Sequence, residues 1–280
     1  MNMPAARRIG PLRAFLANLV GLGLGYVYVG ELGLGLATVA VTFCVFFLFS
    51  WSRLIVSSAQ WMWIDATILL VVSGIALIHP IVIAFRQREH ISRWYNRYWF
   101  YIVWIMALGV LPYFLITDRA IIFGYEPFRT PTVSMSPTVE KNEFFMTDTW
   151  RYHSHPPEFG EIVVFKGLDS PGIKYIKRIV GLPGDRIEMR DAVLFRNGHA
   201  VSEPYVHPID DAHSYGRNFG PVVIGPDAVF VLGDFRDNSL DSRRWGPIPI
   251  SNLHGRAQYI WFSLAGGDIK WDRIGTSLLP

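Results

Sequence analysis

Apolar residues are unevenly spread along the 280-residue chain. They concentrate in residues 14–50, 62–85 and 99–116, and after about residue 120 they give way to short runs broken by Gly, Pro and Asp. A helix needs about 20 apolar residues to cross a bilayer. Stretches 32–50, 62–85 and 99–116 meet that length, the last near the short end of the range, so three spanning helices are predicted there. The preceding run "ANLVGLGLGYVYVGELGLGL" is apolar too, but it is Gly-rich and interrupted by Glu31. A fourth span would need a very tight turn at Gly30-Glu31. Residues 14–30 therefore read as a re-entrant or interfacial segment, with a fourth span as the alternative. The pattern divides the chain into a membrane region, 1–120, and a folded domain, 121–280.

Charge orients the membrane region. The loop "RQREHISRWYNR" carries Arg86, Arg88, Arg93 and Arg97 against the single acid Glu89, and Arg7, Arg8 and Arg13 cluster near the N-terminus. Positive loops face the cytoplasm, so both segments are expected on that side, which requires an even number of crossings between them. Spans 32–50 and 62–85 satisfy this. Helix 99–116 then leads outward and leaves residues 121–280 outside the cytoplasm. Arginines before an apolar run also resemble a secretory signal, but several spans follow, so a retained anchor is expected. Trp51, Trp61, Trp63, Trp94 and Trp99 fit interfacial belts. Asp65 and His79, inside an apolar span, read as anchors near its ends.

The second half reads as β-structure. "EIVVFK", "IKYIKRIV", "DRIEMR", "AVLFRNG", "VVIG", "AVFVLGD" and "QYIWFSL" are short and rich in β-branched or aromatic residues, with turn residues between them, which predicts a mainly β barrel or sandwich. Side chains alternate across a strand. Ile173, Tyr175, Lys177 and Ile179 therefore share a face. A lysine there either reaches water from a strand end or is buried with a depressed pKa, able to take a proton from a hydroxyl. The strand pattern leaves both open. Phe123, Phe128, Phe144, Phe145 and Trp150 read as β-core packing or as an apolar surface that dips into lipid.

Composition narrows the classes further. The lone Cys44 permits no intrachain disulfide, and a net charge of +3 with no basic stripe gives no sign of nucleic-acid binding. His153 and His155, in a Pro-rich loop, are expected at the surface; no metal or cofactor is expected.

Three segments carry candidate chemistry. "PTVSMSPT" (131–138) holds two serines around a methionine. "YIKRIVGLPGD" (175–185) holds Lys177. "GDFRDNSLDSR" (233–243) follows a strand and is dense in Asp, Ser and Arg. In this order they resemble the conserved boxes of type I signal peptidases, with the weaker "FGEIVVF" resembling a fourth; the likeness covers roughly residues 128–265. The resemblance implies a membrane-bound serine endopeptidase that removes signal peptides from exported preproteins by Ser-Lys acyl transfer. It implies a mainly β catalytic domain behind an N-terminal helical transmembrane region, in the bacterial inner membrane, with the catalytic domain on the outer face. Residue by residue, Ser134 matches the nucleophile and Lys177 the general base. Thr132 matches an oxyanion-stabilising hydroxyl, and Ser239 the serine that orients the lysine. Arg178, Asp234, Asp241 and Arg243 match supporting polar positions, whereas Ser136 matches a variable one. The implied partners are preprotein signal peptides and the lipid bilayer; the secretion translocon stays open as a further partner. Departures from the pattern are Thr132 for Ser, Val133 for Gly, Phe235 for Asn and Glu161 for Asp; none removes a reacting group. The Gly-rich run resembles a Gly-x-Gly-x-x-Tyr-x-Gly element of various bacterial membrane proteins. The alternative is a non-catalytic membrane scaffold with an exposed β-domain. A self-cleaving repressor, which shares the dyad, would need a DNA-binding domain where the spans stand.

Overall fold

The computed structural model describes residues 6–87, 89–168, 172–207 and 217–280; Arg88 lies outside them. The chain forms two compact units. One holds the residues up to Ile55 together with Gln60–Phe123, and the other holds Val56–Ala59 and Gly124–Pro280.

In the first unit, a short strand β1 (Ala6–Arg8) is followed by α1 (Pro11–Val20), α2 (Leu24–Val29) and α3 (Leu32–Trp51). A helical turn α4 (Leu54–Ser57) leads to α5 (Ala59–Arg86), strand β2 (Glu89–Ile91) and α6 (Tyr98–Thr117). Helices α3, α5 and α6 are long and apolar enough to cross a membrane. A helix that is apolar all round belongs in a core or in lipid. Here Leu36, Leu48, Leu70, Ile75, Ile102 and Phe114 are exposed, which points to lipid. The Gly-rich run forms no single helix. It breaks at Gly21–Gly23, and α1, at about 1.5 Å per residue, is far too short to span a bilayer. Gly23 has φ +81°, and a Cβ there would lie 2.8 Å from the Gly35 carbonyl oxygen, so the break requires glycine.

Every residue of α2 is buried. The break around it frees backbone carbonyls that neutral side chains satisfy. The Trp104 Nε1–H donates to the Leu22 oxygen (2.9 Å), Asn96 Nδ2 to Val27 (2.7 Å) and the Tyr95 hydroxyl to Gly30 (2.6 Å). Asn18 accepts from the Gly25 N–H and donates to the Ala76 carbonyl. Asp65 is buried, and His79 Nδ1 lies 3.1 Å from the Tyr26 hydroxyl. Trp51, Trp61, Trp63, Trp94 and Trp99 are all exposed.

The second unit is mainly β. Its strands are β3 (Tyr125–Arg129), β4 (Glu143–Asp148), β5 (Ile162–Lys166), β6 (Lys174–Gly181), β7 (Arg186–Arg190), β8 (Val193–Arg196), β9 (His199–Ala200), β10 (Phe219–Val223), β11 (Ala228–Leu232), β12 (Ile248–Pro249) and β13 (Leu253–Ser263). Seven form an antiparallel sheet in the order β12-β11-β6-β5-β13-β4-β3, and four form a smaller sheet, β10-β7-β8-β9. Strand β13 lies between β5 and β4, and the register shifts in both of its pairings mark bulges that bend the sheet. Strands β3 and β4 escape the sequence pattern. β3 contains Pro127, which reads against a strand but is tolerated at an edge, and β3 is the sheet's edge. Phe145 is buried, with Phe128 stacked on it at 5.9 Å, so these two rings pack in the core. Ile173, expected on the lysine's strand face, lies before β6 and is exposed.

Candidate active site

The turn after β3 is seated by its apolar residues. Met135 and Val139 are fully buried in one cluster with Phe145, Ile162, Val164 and Ile260, and the Val139 N–H closes the turn on the Met135 carbonyl at 2.9 Å. The two serines around Met135 go different ways. Ser136 donates its hydroxyl to the Glu140 carboxylate at 2.7 Å. The Ser134 Oγ lies 2.8 Å from Lys177 Nζ and 3.2 Å from Thr132 Oγ1. The Ser134 backbone N–H donates to no group among the described residues.

Lys177 sits in β6, flanked by β5 and β11, and pairs in register with Val163. Tyr175 and Ile179 join one apolar cluster, while Ile176 and Val180 join two others. The strand is thus packed on both faces, and Lys177 is only 3% exposed. It does not reach water from a strand end. Its Nζ also donates to the Ile176 carbonyl at 2.8 Å, and no carboxylate pairs with it among the described residues.

The segment after β11 supplies the surrounding charge. Asp234 takes the Arg178 guanidinium through two bonds, 2.9 and 2.7 Å, and accepts the Thr138 hydroxyl. Asp241 takes Arg243 through two bonds of 2.9 Å and accepts the Gly233 N–H. It also accepts the Arg243 N–H, capping the helical turn Ser242–Trp245. Bidentate pairing of this kind holds both partners in fixed orientation. Gly233 has no room for a side chain: a Cβ would lie 2.2 Å from Ser239 Oγ and 2.5 Å from the Ser134 oxygen.

These charges and burial act on Lys177 together. Burial is the largest influence and pushes its ammonium down from 10.5 to about 8; Asp241 and Asp234 oppose the shift, and Arg243 adds to it. Because both carboxylates are engaged by arginines, neither holds the lysine in its charged form by direct contact. The result is an amine that is partly neutral near physiological pH, beside a hydroxyl.

The structure thus brings together Ser134, Thr132 and Lys177, with Arg178, Asp234, Asp241 and Arg243 around them. Ser239 is different. Its Oγ lies against Gly233 and makes no hydrogen bond among the described residues, so none joins it to the lysine amine. Two arginines were not singled out from the sequence. Arg236 is buried within the "GDFRDNSLDSR" segment, its Nε donating to the Gly233 carbonyl. Arg273 bonds both Glu143 oxygens and the Thr138 carbonyl, fastening the far end of the serine turn. The density of charge pointed to the first, and nothing local pointed to the second. Among the described residues, no group of three or more His, Cys, Asp or Glu side chains is placed to hold a metal ion.

Comparison with known proteins bears on this site. The family profile "Signal peptidase, peptidase S26" matches residues 101–262. The chain is 34% identical over 163 residues to a probable signal peptidase I-1 of Synechocystis sp., covering 55% of this chain and 78% of that protein. It is 36% identical over 168 residues to a signal peptidase I of Bacillus licheniformis, covering 57% and 87%. A solved signal peptidase I from Enterococcus faecalis aligns with TM-score 0.33 and 29% identity, over 36% of this chain and 97% of that one. With the profile spanning more than half of its length and relatives covered over most of theirs, the chain belongs to the signal peptidase family, peptidase S26.

Proposed function

We propose that this protein is a membrane-bound serine endopeptidase that removes signal peptides from exported preproteins, with Ser134 as nucleophile and Lys177 as general base. The observation that carries the reading is the 2.8 Å contact between Ser134 Oγ and a buried lysine amine that no carboxylate among the described residues engages. Neutral Lys177 takes the Ser134 proton as Oγ bonds to the scissile carbonyl carbon. The negative oxygen that results is held by the Ser134 N–H and the Thr132 hydroxyl, donors of the oxyanion-hole type. The carbon–nitrogen bond then breaks, and Lys177 returns the proton to the leaving amine. A water that Lys177 deprotonates attacks the ester, and Ser134 is regenerated. This is the serine–lysine variant of triad chemistry. Arg178–Asp234 and Arg243–Asp241 keep the lysine without a direct counter-ion among the described residues, and the family resemblance assigns Ser239 to orient the amine.

The membrane topology belongs to the same reading, with 1–120 as the membrane region and 121–280 as the catalytic domain. Strand β1 pairs with β2, Ala6 opposite Ile91 and Arg8 opposite Glu89. Paired strands lie on one side of a bilayer, so an even number of crossings separates them, which supports α3 and α5 as that pair and 14–30 as a segment that does not cross. With the arginine-rich side in the cytoplasm, α6 leads the catalytic domain to the outer face of the bacterial inner membrane.

Cleavage of a preprotein in detergent tests the chemistry. Wild type is expected to cut, Ser134→Ala and Lys177→Ala to be inactive, and Ser136→Ala to stay active. Full activity in Ser134→Ala, or loss in Ser136→Ala alone, would overturn the assignment. Reporter fusions after residues 56 and 125 are expected outside the cytoplasm, and one after residue 92 inside.

A further inference from the structure

After β9 the chain passes over the charged loop through Glu203, Tyr205 and His207. Each of these three touches a different part of the candidate site. The Glu203 carboxylate receives both terminal nitrogens of Arg236, at 3.0 and 2.6 Å, and the Tyr205 hydroxyl at 2.8 Å. Arg236 in turn holds the Gly233 carbonyl. The Arg178 guanidinium carbon lies 3.8 Å from the centre of the Tyr205 ring, while the same guanidinium binds Asp234. The His207 N–H donates to the Asp234 carbonyl at 2.9 Å, and its ring stacks on Phe235 at 4.2 Å. The Phe235 N–H donates to the Ser134 carbonyl at 3.2 Å.

We propose that Glu203–His207 is a positioning strap that keeps the Ser134 hydroxyl and the Lys177 amine in reacting register. The proposal rests on the Ser134–Lys177 reading. The strap acts through two routes. On the lysine side, Tyr205 holds Arg178, the strand neighbour of Lys177, in the plane that suits Asp234. On the serine side, His207 holds Asp234 and Phe235, whose backbone grips Ser134. A reacting pair displaced by about 1 Å loses up to roughly 100-fold in rate, so contacts of this kind matter without touching substrate. Phe235, which departs from the family's usual Asn, has a stacking partner in His207 that an asparagine would not use in this way.

The electrostatic consequence has a defined sign. The charged groups acting on Lys177 are Asp241, Asp234 and Arg243. When Tyr205 no longer shields the Arg178–Asp234 pair, water enters, Asp234 is less neutralised, and the ammonium form of Lys177 gains. The acidic limb of the kcat profile then moves to higher pH.

The test uses the full chain in detergent and a preprotein substrate. Tyr205→Leu is expected to lower kcat by roughly 10–100-fold, to leave KM within about twofold, and to move the acidic limb upward. Tyr205→Phe keeps the ring and should restore kcat and the limb. His207→Ala, which removes only a half-buried ring, is expected to lower kcat by several-fold, and it decides the matter if Tyr205→Leu does not fold. Unchanged kcat and limb in a folded Tyr205→Leu, or equal damage in Tyr205→Phe, overturns the strap while the dyad stands. Failure of wild type to cleave, or cleavage by Ser134→Ala, overturns the dyad and the strap with it.

Discussion

Around α2 and around Lys177 the two units satisfy buried polar groups by different means. In the membrane unit the groups around α2 are neutral: Trp104, Asn96 and Tyr95 each donate to one freed backbone carbonyl. In the β unit they are ions in pairs: Arg178 with Asp234, Arg243 with Asp241, Arg236 with Glu203, and Arg273 with Glu143. Each means gives the named groups the partners that buried polar groups require. Neutral donors hold a shape and leave little field behind. Paired ions hold a shape and also set the potential at a third group, here Lys177, whose proton affinity responds to Asp241, Asp234 and Arg243. The difference teaches why the charged loop sits around the lysine and the amide and indole donors sit around α2.

The largest test of this contrast is at the proposed Ser134–Lys177 pair. Lys177→Met, close in shape but unable to take a proton, should lower kcat by about 10⁴-fold or more, as losses of such groups do. A folded, active Lys177→Met would erase the chemical distinction between the units. Next come the ion pairs. Asp234→Leu strands the buried Arg178 and should cost about 3–5 kcal/mol of stability, read as a lowered thermal midpoint by circular dichroism. A smaller, graded effect is pH. With Lys177 titrating at about 8, kcat should rise about tenfold per pH unit below that value and flatten above it. The linkage has the same origin. Folding lowers this pKa from 10.5 to about 8, so between those values the unfolded chain binds the extra proton and stability should increase with pH. The smallest effect is expected in the membrane unit. Asn18→Leu leaves the Gly25 N–H and the Ala76 carbonyl unsatisfied, at a cost of about 1–3 kcal/mol, and should leave the kcat profile where it was. A moved profile would mean that the two units are not separable in this way.

Much of this was legible in the chain itself. The spans expected at 32–50, 62–85 and 99–116 emerge as helices 32–51, 59–86 and 98–117, because a bilayer demands one continuous apolar length and local composition reports it. The order Ser134, Lys177, Asp234 to Arg243 was readable because each segment is short and chemically dense. Other parts were hidden. β3 and β4 carry Pro127, Glu126 and Glu143 among their residues, and their strand character comes from pairing with each other and with β13. Glu203, Tyr205, His207 and Arg273 sit in stretches with no local mark of a site.

The amino-acid sequence alone determined which segments are apolar enough to cross a membrane, and which hydroxyls, amines and carboxylates are present in family order. The family resemblance already distinguishes Ser134 from Ser136; only the tertiary structure shows their surroundings, one hydroxyl facing Lys177 and the other Glu140. It alone decided that Lys177 is buried and, among the described residues, without a paired carboxylate. Hydropathy is additive along the chain, but a proton affinity depends on distances between residues far apart in it, and those exist only after folding.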